Sequence, residues 1–237
     1  MATVITHARM CDAVYDDDPV VEGWSRVGFQ PTSSGLSRSF QGAAFGSGSE
    51  IVFAFKGTNC GRDAIADVKL GIGMNTGQYS DAMDLVRSVT VMPGSQVSVC
   101  GHSLGGAIAQ IVGNRMRLPF ITFNAPGVGL VSRNIGEVAA TLALGTAALR
   151  TAGAILSAAL HPVQAAQDAR SFFQWVRGVN FRLGRDVVGM IGVHYGNVIQ
   201  LPYSGNATDV LLKHKMTSMI AALGDSRYRD APLQSLV

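Results

Sequence analysis

The chain has 237 residues, 47% of them hydrophobic and 15% charged, with 19 Lys and Arg against 16 Asp and Glu. That balance excludes a disordered chain, which needs low hydrophobicity and high net charge, and the length suits one α/β domain with one buried core. The net charge is only +3 and the basic residues are scattered. No stripe of Lys and Arg is present to neutralise phosphates, so nucleic acid is not an expected partner.

The three cysteines, Cys11, Cys60 and Cys100, are odd in number and widely spaced. With no C-x-x-C and no Cys/His cluster, neither a disulfide framework nor a structural metal is expected. Met1 to Arg9 shows no basic segment leading into an apolar one, which points to the cytoplasm or to an export route that reads no such signal. Val138 to Leu160 is broken by a single charge, Arg150. Its strong apolar residues contribute roughly −0.3 to −0.6 kcal/mol each to insertion and a central Arg costs roughly +2.5 to +3.5. The sum is near zero, so a helical hairpin broken near Gly145 or Gly153 is expected in place of a membrane span.

In chain order, residues 4–15 read as a first helix, followed by the acidic turn Asp16-Asp17-Asp18-Pro19. Trp24 to Phe29, Ser39 to Phe45 and Ile51 to Phe55 read as strands separated by Gly, Ser and Pro. The last is continuously apolar, as a strand buried on both faces should be. Ser80 to Val89 is helical, Val97 to Cys100 a strand, Leu104 to Arg117 a helix. Further strands are expected at Leu118 to Phe123, at Val179 to Leu183 and at Val193 to Ile199, the last opened by His194, with a final helix near His214. Strands alternating with helices mean an α/β fold, a mostly parallel sheet covered on both faces. No repeat or linker divides the chain, so 1–237 reads as one domain.

The most informative stretch is Val97-Ser98-Val99-Cys100-Gly101-His102-Ser103-Leu104-Gly105-Gly106-Ala107. It is G-x-S-x-G placed between a buried strand and a helix. Such an elbow holds its serine on a strained turn so that Oγ projects from the top of the sheet. Gly101 and Gly105 are required because a Cβ at either place would collide with the neighbouring strand and helix. The helix start sets the Leu104 amide and the positive helix end beside a developing oxyanion. Ser103 is therefore the expected nucleophile. A second oxyanion donor should come from the loop after an earlier strand. Ile51 to Phe55 runs into Lys56-Gly57-Thr58-Asn59, which puts forward the Thr58 N–H; taken alone, this stretch is an ordinary Gly-Thr turn.

Three stretches make the chain resemble the class 3 lipases of the α/β-hydrolase superfamily. Val52-Phe53-Ala54-Phe55-Lys56-Gly57-Thr58 is similar to the family's oxyanion segment, with Lys56 where the family usually has Arg. Gly101 to Ala107 matches its elbow, His102 and Leu104 included. Thr122-Phe123-Asn124-Ala125-Pro126-Gly127-Val128-Gly129 resembles the strand and loop that follow. The Ala-rich stretch at about 132–172 has no counterpart and reads as an apolar helical insertion.

In this superfamily the acid and then the base follow the serine along the chain. Asp186 lies just past the strand Val179 to Leu183, where sheet topology puts active-site loops, and its segment resembles the family's acid-bearing turn. Glu137, Asp168 and Asp209 fit worse: the first has no preceding strand, the second sits on a helical face, and the third suits a helix N-cap. For the base, His214 near the final helix is preferred and His194 is the alternative, although His194 resembles a structural His-x-Gly element. His102 is expected only to pack.

The resemblance implies a serine hydrolase of lipid esters that works through an acyl-enzyme. It implies no cofactor and no metal, a lipid or ester substrate, and contact with a lipid surface. Cys60 to Tyr79 could form a lid or a short core helix, and 132–172 is a second candidate cover. The alternatives are a short-chain carboxylesterase, a phospholipase toxin delivered into rival cells, and a silent binding module. Nothing in the chain sets the oligomeric state.

Overall fold

A computed structural model describes residues 1–30, 40–57, 76–128, 176–184, 186–203 and 210–237. Its strands are β1 (Ser25–Gln30), β2 (Gly42–Ser47), β3 (Glu50–Phe55), β4 (Gln96–His102), β5 (Phe120–Phe123), β6 (Gly178–Leu183) and β7 (Asn197–Leu201). Among the described residues they form a seven-stranded sheet in the order β1 to β7. β1, β2 and β3 pair antiparallel, and every pairing from β3 to β7 is parallel. The described α-helices are α1 (Val4–Ala13), α2 (Thr76–Ser88), α3 (Leu104–Met116), the short α4 (Val210–His214) and α5 (Met216–Gly224).

Alternation along the strands sorts the core into two layers. In β3, Val52 and Ala54 face one side with Ile121, Phe123, Val179 and Phe181, where α1 and α5 cover them. Phe53 and Phe55 face the other side with Val99 and Phe120, beneath α2 and α3. Both faces are thus covered, which is why the central strands carry continuous apolar runs. The helix α1 starts where the Thr3 hydroxyl accepts the Thr6 N–H, a side-chain cap for a backbone donor that helix geometry leaves unpaired. Cys11 and Cys100 are buried thiols without a disulfide.

The two largest boundary differences from the sequence reading are of four residues each. The helix α2 begins at Thr76 rather than Ser80, because Gln78 and Tyr79 are buried and extend the inward stripe toward the N-terminus. The last strand begins at Asn197 rather than Val193. Gly196 turns the chain there with φ +78°, and a Cβ on it would lie 2.1 Å from the Gly178 carbonyl oxygen. His194 therefore lies on a loop, not on a strand. Thr58, the 132–172 stretch and most of the Cys60 to Tyr79 candidate lie outside the described residues.

The elbow depends on backbone contact between α3 and the sheet. A Cβ on Gly105 would sit 2.0 Å from the Phe55 carbonyl oxygen and 2.7 Å from the Lys56 carbonyl carbon, atoms that cannot swing aside. We expect Gly105→Ala to cost about 3 kcal/mol or more through overpacking, lowering Tm by about 6–12 °C for a chain of this size. Gly224→Ala, where nothing lies within 4 Å of the added carbon, is the control in the same thermal melts. Equal melting of Gly105→Ala and wild type would contradict the close approach.

Candidate active site

The elbow has the backbone its sequence requires. Ser103, between β4 and α3, has φ +55° and ψ −128°, a conformation a non-glycine residue holds only where its surroundings impose it. The surroundings here are the Ser103 N–H bonded to the Phe123 carbonyl (3.1 Å) and the Ser103 carbonyl accepting from Gly106 and Ala107. The Leu104 N–H, at the positive end of α3, has no acceptor among the described residues.

The side chains of Ser103, His214 and Asp186 meet. The Ser103 hydroxyl donates to His214 Nε2 at 2.8 Å, and His214 Nδ1–H donates to Asp186 Oδ1 at 3.0 Å. Asp186 Oδ2 accepts the Gly189 N–H at 2.6 Å, so both carboxylate oxygens are partnered and the loop fixes their direction. Asp186 follows the C-terminal end of β6, and His214 closes the short α4 just before α5. Ser103 and Asp186 are fully buried and His214 nearly so. His194 does not join this group: its Nε2–H donates to the Ala125 carbonyl at 2.9 Å.

Three residues of the site carry no role in the sequence reading. Asn124, at φ +45°, donates to the Lys213 carbonyl (2.9 Å) and accepts the Leu183 N–H (2.9 Å). It thereby ties the segment before His214 to the end of β6, just ahead of Asp186. His102, expected only to pack, has both ring nitrogens bonded: Nε2–H donates to the His214 carbonyl at 2.6 Å and Nδ1 accepts from the Tyr15 hydroxyl at 2.9 Å. Tyr15 in turn accepts the Gly57 N–H at 3.2 Å. No local signal marked these partners, which lie 87 and 112 residues apart in the chain.

Burial, and then the charge of His214, pushes the His102 imidazole down to about 3. Burial likewise pushes His7 down to about 4, where Nδ1–H donates to the Thr3 carbonyl and Nε2 accepts from Ser98. In the unfolded chain both titrate near 6.5. Below that pH the unfolded state binds more protons, so stability is fully present above about 6.5 and falls as pH drops toward the folded values. The pair contributes a loss approaching about 2.7 kcal/mol per pH unit. Urea midpoints should be level from pH 8 to 7 and decline steadily by pH 5; a midpoint unchanged at pH 5 would contradict the two buried neutral imidazoles.

A largely parallel sheet clothed on both faces, with a strained serine elbow after its fourth strand, defines an α/β-hydrolase fold. The model of the Tle-like phospholipase domain matches residues 6–202, and the chain belongs to that family. An extracellular phospholipase A1 of Serratia liquefaciens is 34% identical over 89 residues, 38% of this chain and 28% of its own length. A relative from Mycosarcoma maydis named as a lipase is 28% identical over 173 residues, 53% of this chain and 33% of that one. The chain thus spans about a third or less of these relatives. A fungal lipase crystal structure covers 88% of this chain and 82% of its own at 14% identity, with a TM-score of 0.47. The resemblance read from the three motifs stands at the level of a lipase- and phospholipase-like family. Among the described residues no helix is long and apolar enough to cross a membrane.

Proposed function

We propose that the protein hydrolyses carboxylic ester bonds of lipids, phospholipids or acylglycerols, through an acyl-enzyme on Ser103. The observation that carries this is the continuous path from the Ser103 hydroxyl through His214 to Asp186 on a strained elbow. His214 Nε2 takes the proton as Ser103 Oγ attacks the ester carbonyl carbon. Asp186 holds the ring with its proton on Nδ1 and stabilises the imidazolium. The Leu104 N–H and the N–H of Thr58 receive the oxyanion. Collapse expels the alcohol, protonated by His214, and water then releases the fatty acid by the same steps. No cofactor enters this chemistry.

Lipid is favoured over a small soluble ester by the segments that carry the acid and the base. Val187, Met190 and Val193 follow Asp186 and Leu212 precedes His214; all four are large apolar residues left exposed, Met190 at 61%. Apolar side chains left exposed on the segments beside one site mark a surface for contact, here with a lipid aggregate. We read the whole as one α/β-hydrolase domain.

The test is a substrate series of short soluble esters, long-chain triacylglycerol and diacyl phospholipid vesicles, with Ser103→Ala protein as the blank. Turnover of the long-chain or phospholipid substrates, rising above the critical aggregation concentration, is expected. Activity confined to short soluble esters would overturn the lipid reading and leave a carboxylesterase.

A further inference from the structure

We propose that Tyr15 and His102 are positioning residues, a hydrogen-bonded relay that sets the turn after β3 and the main chain of His214 relative to one another. The inference rests on the ester-hydrolase reading above and assigns two residues beyond its serine, base and acid. The path is continuous: Gly57 N–H to Tyr15 Oη at 3.2 Å, Tyr15 O–H to His102 Nδ1 at 2.9 Å, His102 Nε2–H to the His214 carbonyl at 2.6 Å. Only one set of proton positions satisfies it. The carbonyl can only accept, so Nε2 carries the hydrogen; Nδ1 then has a lone pair and receives the phenol proton; the phenol oxygen is left to accept from Gly57.

The two ends of the relay are places where small displacements matter. A Cβ on Gly57 would lie 2.6 Å from the His102 carbonyl oxygen and 3.1 Å from Ser103 Cβ, so this turn touches the nucleophile and leads directly into the expected oxyanion donor. At the other end the His102 and His214 rings lie 4.8 Å apart between centroids, and the bonded carbonyl belongs to the base itself. Because His102 stays neutral in its buried place, the proton that His214 takes up during acylation does not pass on to it.

Tyr15 is held from behind. Lys56 Nζ lies 5.7 Å from the centre of the Tyr15 ring and donates to Gln41 Oε1 at 2.8 Å. The Gln41 amide then donates to the carbonyls of Val14 and Asp16, on either side of Tyr15, at 2.9 Å each. Lys56 thus braces the tyrosine of the relay.

The experiment measures kcat and KM on a soluble short-chain ester, with thermal melts, for Tyr15→Phe, His102→Gln, His102→Leu, Tyr15→Phe/His102→Leu and Ser103→Ala. Tyr15→Phe keeps the ring and loses both hydrogen bonds. It should lower kcat by about 10- to 100-fold, as misplacement of reacting groups does, with KM within about twofold because the oxyanion turn matters in the transition state. His102→Gln, which can still donate to the His214 carbonyl, should retain at least about ten times the kcat of His102→Leu. The double variant should be no slower than His102→Leu alone, since residues acting in one path are not additive. A folded Tyr15→Phe protein with wild-type kcat, or single losses that multiply in the double variant, would overturn the relay. Were His102→Leu not to fold, the Tyr15→Phe result decides. Ser103→Ala separates the two layers: full activity there sinks the hydrolase reading itself, whereas an inactive Ser103→Ala beside an unimpaired Tyr15→Phe sinks only the relay.

Discussion

Ser103→Ala is expected to lower kcat for ester hydrolysis by about a million-fold while the protein stays folded. The change removes one atom, Oγ, and with it the 2.8 Å bond to His214 Nε2. What shapes the elbow is main chain: the Ser103 N–H to Phe123 and the Ser103 carbonyl to Gly106 and Ala107. Alanine can keep all of these, and the strain at φ +55° is imposed by neighbours that do not change. The remaining rate should reflect only oxyanion binding and substrate positioning, which leave a residue of about 10³- to 10⁴-fold over water in comparable sites. Initial rates on vesicles and on a soluble ester, with matching circular dichroism spectra, check this. A rate above about 1% of wild type would place the nucleophile elsewhere.

Asp186→Asn carries the next largest expected effect, about 10⁴-fold in kcat, and the reason lies in the two bonds of the carboxylate. Oδ1 accepts from His214 Nδ1–H and Oδ2 accepts from the Gly189 N–H. An amide has one oxygen for these two donors. If that oxygen stays on Gly189, the NH₂ faces Nδ1 and only the other imidazole tautomer avoids two opposed hydrogens. Its proton then sits on Nε2, where Ser103 needs a lone pair. Shape is preserved and the base is lost. The loss should therefore fall on kcat with KM nearly unchanged; a fall of less than about tenfold would mean that Asp186 does not set the tautomer.

The elements that could be read from the sequence are those whose information is local. The run Ile51 to Phe55 declares a strand buried on both sides, and it is one. Gly101, Ser103 and Gly105 declare a tight strand-to-helix turn, and the backbone has it. Chain order, strand position and the family resemblance together favoured Asp186 and His214, with His194 kept as the alternative base, and the fold brings Asp186 and His214 into one hydrogen-bonded group with Ser103. What was not legible depends on distant partners or on a single dihedral. Nothing around His102 says that Tyr15, 87 residues away, will offer it a hydroxyl. Nothing around Asn124 says that its amide will tie Lys213 to Leu183. The apolar letters of Val193 to Ile199 suit a strand throughout, and only the turn at Gly196 delays it to Asn197.

Everything proposed for this site depends on Ser103 being a nucleophile activated by His214. That is tested most directly by treating the folded protein with a fluorophosphonate and locating the product by intact mass and peptide mapping. One adduct per chain is expected, on Ser103, absent from Ser103→Ala and formed much more slowly in Asp186→Asn. Folded protein that takes up no adduct, or takes it up at another residue, would contradict it.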